Sequence, residues 1–346
     1  MVSGSIALFG LAAILTDDSQ PAALGGKSSD MPLRPKLIAS LLALLPLAVS
    51  APLAFAADEP PFTRQQDVIY GRKDGVALTM DVFTPRANAN GAGAIFVVSG
   101  GWYSAHEFLD GAGPGFINEL ARRGYTVFGV VHGSQPRYTI PEILGDMHRA
   151  VRFVRHHAPE YHVDPNRIGI YGGSAGGHLS LMQGLAGKEG DKAAKDPVDR
   201  ESSRVQAVAC FYPPTDFLNY GKEGEVALGR GVLKDFKAPF DFRELDAKTK
   251  AYVPVTDEKK VLEIGREISP INHATSDDPP TLIIHGDADK LVPIQQAQIL
   301  VKKLNDVGVE AKLVTKPGAA HGWADQAKDM VLIADWFDAH LKKSGQ

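Results

Sequence analysis

The chain has 346 residues, 44% of them apolar and 23% charged, with a formal net charge of −4. That is enough length to bury a large core, and the composition excludes collagen-like and disordered classes. A pI near 6.3 provides no basic footprint for a phosphate backbone, so nucleic acid is not expected as a partner.

The first element along the chain is a targeting segment. From Met31 the sequence reads MPLRPKLIASLLALLPLAVSAPLAFAADE: Arg34 and Lys36 make a cationic start, an apolar run follows from Leu37, and Ala54-Phe55-Ala56 offers the small residues of a cleavage site. Cleavage after Ala56 is expected, giving a secreted or periplasmic protein, with residues 1–56 as extension and signal peptide and 57–346 as the folded domain. Pro46 and Pro52 interrupt the apolar run, which argues against a stable membrane anchor. Residues 1–30 have no evident role, and Met31 is an alternative start. Cys210 is the single cysteine, so an exported chain must stand on its core without an internal disulfide.

After a polar lead-in, Ala77–Val82 alternates like a half-exposed strand, whereas Ala94–Val98 and Tyr125–Val131 are continuous apolar runs typical of buried parallel strands. Between them, residues 114–123 have helix character, with Pro114 in the first turn and Gly124 as a stop. Residues 141–157 carry apolar residues at helical spacing and lead to a short strand at Ile168–Tyr171. Strands follow at Val205–Phe211, Thr281–Ile284 and Ala311–Val314, with helices over 294–304 and from Ala324 to about Leu341. This alternation predicts an α/β fold: a mostly parallel open sheet, helices on both faces, right-handed crossovers, and ligands at the carboxyl ends of the strands. Residues 218–273 break the rhythm after the sixth strand. They are too long for a bare connection, and read as a partly helical insertion that serves either as a lid or as an inert surface excursion.

Gly172-Gly173-Ser174-Ala175-Gly176 is the leading chemical motif. Chance supplies about 0.2 such Gly-x-Ser-x-Gly patterns in a chain of this composition, so its context decides. A strand precedes Ser174 and a helical stretch, Ala175–Leu185, follows it, which is the strand-turn-helix setting of a nucleophile elbow. Glycines permit the tight turn that lifts the serine oxygen clear of the sheet, and the helix N-terminus favours developing negative charge. No phosphate-loop or dinucleotide fingerprint is present.

A serine hydroxyl needs a base, and on such an elbow the partners follow in the order Ser, Asp or Glu, His. Only His321 and His340 lie beyond the acidic loop at 285–293. His340 sits in the final helical pattern, whereas His321 lies in the loop Pro317-Gly318-Ala319-Ala320-His321-Gly322-Trp323, from which an imidazole can reach the serine. Two aspartates, Asp287 and Asp289, follow the strand Thr281–Ile284; Asp287 reads as a turn former. An oxyanion hole would draw one backbone donor from Ala175 and a second from Gly100 or Gly101, just past the strand Ala94–Val98. Trp102 and Tyr103 are candidate walls of the acyl pocket.

These residues resemble the α/β-hydrolase carboxylesterases related to hormone-sensitive lipase and to bacterial acetyl-xylan and feruloyl esterases. The resemblance spans roughly Ala77 to Leu341 and rests on DPNRIGIYGGSAGGHL (164–179), FYPPTD (211–216), and the loops around Asp289 and His321. It favours Asp289, which fits His-Gly-x-x-Asp-x-x-Val-Pro, as the acid. It implies a serine esterase acting on small or acylated-carbohydrate esters, without cofactor or metal. Where that family carries His-Gly-Gly-Gly or His-Gly-Gly-x-Trp, this chain has Val98-Ser99-Gly100-Gly101-Trp102.

Three other readings compete. A prolyl-oligopeptidase-type serine peptidase shares the triad order, but the chain leaves no room for a large gating domain. A non-catalytic binding protein on the same fold would be expected to lack a triad member. A metal hydrolase founded on His106-Glu107 fails because Asp110 stands where a second histidine ligand is needed. The sequence does not fix the oligomeric state.

Overall fold

The computed structural model describes residues 59–342, Ala112 excepted; the expected signal segment at 1–56 lies outside the described residues. The strands are β1 (Phe62–Lys73), β2 (Val76–Pro85), β3 (Gly93–Val98), β4 (Thr126–Val131), β5 (Ile168–Gly173), β6 (Ala207–Phe211), a short hairpin of β7 (Arg243–Leu245) and β8 (Tyr252–Pro254), then β9 (Thr281–Gly286) and β10 (Ala311–Lys316). The helices are α1 (Glu107–Asp110), α2 (Gly113–Arg122), α3 (Ile140–His156), α4 (Ala175–Leu185), α5 (Glu258–Glu267), α6 (Gln295–Asp306) and α7 (Met330–Leu341).

Eight strands form one sheet in the order β1-β2-β4-β3-β5-β6-β9-β10. The first two neighbour pairs are antiparallel and the rest parallel. Alternate side chains of the central strands feed two cores. Ile95, Val97, Ile170, Val208 and Ile283 pack with Met147 and Val151 of α3, Leu179 of α4 and Leu300 of α6. On the opposite face, Ala94, Phe96, Val98, Tyr171, Phe211 and Ile284 meet Ile117 and Leu120 of α2 and Ile333 and Phe337 of α7. The continuous apolar runs of β3–β6 follow from this two-sided burial. This is the expected α/β-hydrolase architecture, with the carboxyl ends of β3, β5, β9 and β10 delivering the loops that matter below.

Two elements depart from the sequence expectation. β1, expected as a polar lead-in, is a twelve-residue edge strand paired with β2. Register shifts between Gln65 and Val68 and between Ile69 and Gly71 break its period of two, so no alternation marks it. The last helix was expected from Ala324; α7 begins at Met330, after a 3₁₀ turn at Gln326–Asp329.

Residues 218–273 contain the β7–β8 hairpin, α5 and 3₁₀ turns at Gly231–Leu233, Ala238–Phe240 and Pro270–His273. Leu228, Leu233, Phe240, Phe242 and Ile268 are buried in the same layer as α3, α4 and α6. The hairpin, by contrast, exposes all six of its residues.

Candidate active site

β5 ends at Gly173, and Ser174 adopts φ 54° and ψ −121° before α4 begins. A non-glycine residue in that region is strained by about 1–3 kcal/mol and is held by its surroundings. Here the backbone amide of Ser174 donates to the carbonyl of Phe211 at 2.9 Å, and the amide of His178 donates to the carbonyl of Ser174 at 2.9 Å. The flanking glycines are required by close approach: a Cβ at Gly172 would lie 2.7 Å from the backbone of Gly176, and one at Gly176 would lie 2.7 Å from the carbonyl oxygen of Val97.

The loop after β10 brings His321 to this serine, with Nε2 2.8 Å from Ser174 Oγ and Nδ1 2.7 Å from Asp289 Oδ2. An ionised carboxylate can only accept, so the proton sits on Nδ1 and the Nε2 lone pair faces the hydroxyl. Asp289, whose side chain is fully buried, is kept ionised by its surroundings. Burial acts to raise its pKa, but His285, His321 and the amide of Val292 outweigh that and hold the carboxyl well below the usual carboxylate range. Of these, His321 is the firmer partner, because His285 Nε2 lies 3.5 Å from Asp289 Oδ2 and donates at 2.8 Å to the carbonyl of Val292. Oδ1 of Asp289 accepts the amides of Leu291 and Val292, each at 2.9 Å. Asp287 is elsewhere: its Oδ1 accepts the amide of Gly318 at 2.6 Å and thereby ties two loops together.

The loop after β3 separates the two candidate donors. Gly100 exchanges both backbone hydrogen bonds with Tyr103 at 2.9 Å, so its N–H is spent and cannot serve a substrate. Gly101, at φ +55°, has no hydrogen bond from its N–H to the described residues, and Ala175 opens α4. One correction concerns Trp102 as a pocket wall. Trp102 is 2% exposed, packed among His178, Phe217 and Phe240, and so supports the loop from beneath. Tyr103 is 43% exposed and meets Phe108 edge-on.

Sequence reasoning did not single out three neighbours of this site. The Tyr212 ring lies 4.4 Å from that of His321, and its hydroxyl donates to Gln326 Oε1 at 2.9 Å. Phe236, from the insertion, lies against Gly101: a Cβ there would meet the phenyl ring at 2.7 Å. The imidazole of His178 is fully buried beneath Trp102. Tyr212 and His178 belong to the quoted motifs, but nothing in the insertion's sequence marks Phe236.

Among the described residues, Asp67, Asp81 and His106 bring ligand-type atoms within 4.8 Å of one another. Arg64 pairs with Asp81 at 2.6 Å, and His106 Nε2 lies 2.8 Å from the hydroxyl of Thr79.

Residues 80–304 match the protein family described as BD-FAE. Among curated proteins, the chain is 30% identical to the probable carboxylic ester hydrolase LipM of Mycobacterium tuberculosis, over 71% of this chain and 53% of that protein. It is 27% identical to esterase LipC of the same organism, over 79% of this chain and 63% of that one. The chain thus spans between half and two-thirds of these relatives. Among solved structures, a truncated carbohydrate esterase from gut microbiota superposes with a TM-score of 0.64 at 25% identity, covering 81% of this chain and 97% of that one.

Proposed function

Because the chain belongs to the BD-FAE family, we propose that it is a serine carboxylic ester hydrolase working through an acyl-enzyme on Ser174. One observation carries the reading: the unbroken chain of contacts from Asp289 through His321 to Ser174 Oγ, at 2.7 and 2.8 Å.

The chemistry follows from that chain. His321 Nε2 takes the hydroxyl proton as Ser174 Oγ attacks the ester carbonyl, and Asp289 stabilises the imidazolium. The N–H groups of Gly101 and Ala175 hold the oxyanion. Collapse breaks the bond to the alcohol, which leaves with the proton from Nε2. Water then repeats the sequence and releases the acid. The substrates are carboxylic esters, acylated carbohydrates among them, in keeping with the named character of the gut-microbiota neighbour. We further propose export with cleavage after Ala56.

Turnover of p-nitrophenyl acetate by the purified protein, alongside Ser174→Ala, tests the core of this reading. Loss of several powers of ten in the variant, with unchanged folding, is expected; near-wild-type turnover removes Ser174 from the mechanism. Acetylated xylan, feruloyl esters and Xaa-Pro amides in the same assay separate esterase from peptidase. Amino-terminal sequencing of the exported protein tests the cleavage site, with Ala57 expected first.

A further inference from the structure

The second donor of the oxyanion hole sits on a loop that needs holding. Gly101 and Trp102 both have positive φ, 55° and 61°, a region a tryptophan occupies only when its surroundings impose it. The loop's own hydrogen bonds pin its far end: the carbonyl of Trp102 accepts the amide of Gln135 at 3.2 Å, and the amide of Ser104 donates to Ser134 Oγ at 2.7 Å. What fixes the Trp102 side chain is His178. The indole Nε1–H donates to His178 Nδ1 at 3.2 Å, and His178 Nε2 lies 2.7 Å from the carbonyl oxygen of Ile268, the residue directly after α5.

Donor chemistry leaves one protonation state for this imidazole. An indole N–H can only donate, so Nδ1 must accept; a carbonyl can only accept, so Nε2 must carry the proton. Full burial agrees, pushing the imidazole down to about 4 and keeping it neutral. A neutral histidine of fixed tautomer thus joins the nucleophile helix, the oxyanion loop and the end of the insertion. The insertion touches the same loop twice more: Phe240 meets the Trp102 ring edge-on at 5.2 Å, and Phe236 lies on Gly101.

We propose that His178 is a positioning residue for the oxyanion hole, holding Trp102, and through it the Gly101 N–H, at the geometry the tetrahedral intermediate requires. The insertion 218–273 is then part of that support and not an inert excursion. The inference rests on Ser174 being the nucleophile, and it extends that reading to residues that never touch substrate.

The two ring nitrogens can be tested separately. In His178→Asn the amide oxygen falls where Nδ1 was and can still accept from Trp102, while the bond to Ile268 is lost. In His178→Gln the amide nitrogen falls where Nε2 was, and Trp102 loses its acceptor. Trp102→Phe removes the donor and leaves the bond from His178 to Ile268 intact. With p-nitrophenyl acetate, His178→Gln and Trp102→Phe are each expected to lower kcat roughly 10–100-fold, with KM within about twofold of wild type. His178→Asn, which keeps the acceptor for Trp102 but loses the bond to Ile268, should lower kcat clearly less than His178→Gln does, and the double variant His178→Gln/Trp102→Phe should be no worse than either single one.

Equal losses in Asn and Gln variants, or an effect confined to KM, overturn the proposal. If His178→Gln does not fold, Trp102→Phe decides alone, and an unchanged kcat there also overturns it. Wild-type turnover by Ser174→Ala rejects the nucleophile itself, whereas a dead Ser174→Ala beside an active Trp102→Phe rejects only the role of His178.

Discussion

His321 Nδ1 and Asp289 Oδ2 lie 2.7 Å apart, while the carboxylate of Asp287, two residues earlier in the same loop, is engaged by the amide of Gly318. The two aspartates therefore make opposite predictions. Asp289→Asn presents a neutral amide that cannot hold the imidazole in its working tautomer, and should lower kcat by roughly 10³–10⁴-fold. Asp287→Asn keeps an acceptor for Gly318 and should stay within about threefold of wild type. Steady-state kinetics on one ester substrate ranks them, and the reverse order reassigns the acid.

Gly101 gives a second test, because a side chain there meets two obstacles. Its φ is +55°, and the Phe236 ring occupies the space of a Cβ. Gly101→Ala should displace the free N–H and cost roughly 100-fold in kcat. Adding Phe236→Ala relieves the clash but not the backbone strain, so kinetics on the double variant should show partial recovery only.

Glycine substitutions should also move stability in opposite directions at two sites. At Gly176 a Cβ would press on the carbonyl of Val97, which as sheet backbone cannot give way; Gly176→Ala should destabilise by about 1–3 kcal/mol. Gly145 lies on the exposed side of α3 with nothing within 4 Å of a Cβ, so Gly145→Ala should stabilise by about 0.5–1 kcal/mol. Urea midpoints measure both.

A pH dependence of stability follows from His132, which is 3% exposed at the end of β4. Burial pushes its imidazole down to about 4, against a weaker opposing bond to the carbonyl of Gly133. The unfolded chain takes up that proton near pH 6.5, the folded chain not until about 4. Stability from this group is thus intact above about 6.5 and lost as pH falls towards 4, on the order of 3 kcal/mol across the window. Urea unfolding at several pH values should show a shallower acid loss for His132→Gln than for wild type; parallel curves would contradict the assignment.

Legibility in the sequence followed the range of the forces involved. The buried strands β3 to β6 and the helices α3 and α4 were visible because two-sided burial writes continuous apolar runs and helical spacing into neighbouring residues. The elbow at Ser174 was visible because a strand, a glycine-flanked serine and a helix follow one another directly in the chain, although Gly176 also answers the distant carbonyl of Val97. β1 was missed because bulges scramble its period, and the start of α7 was misplaced because a 3₁₀ turn carries much the same residues as a helix.

By itself the sequence determined the sheet-and-helix alternation and the strand-turn-helix setting of Ser174. Both are fixed by local backbone preference and by the apolar period. The tertiary structure alone decided that the Gly100 amide is spent on Tyr103 while Gly101 stays free, that Trp102 is buried against His178 and Phe240, and that His178 joins the loop after β3 to the insertion. Each depends on where one N–H finds its acceptor among residues brought together from as far as 90 positions away. No local periodicity records that, because a hydrogen-bond partner is chosen by the packing of whole elements.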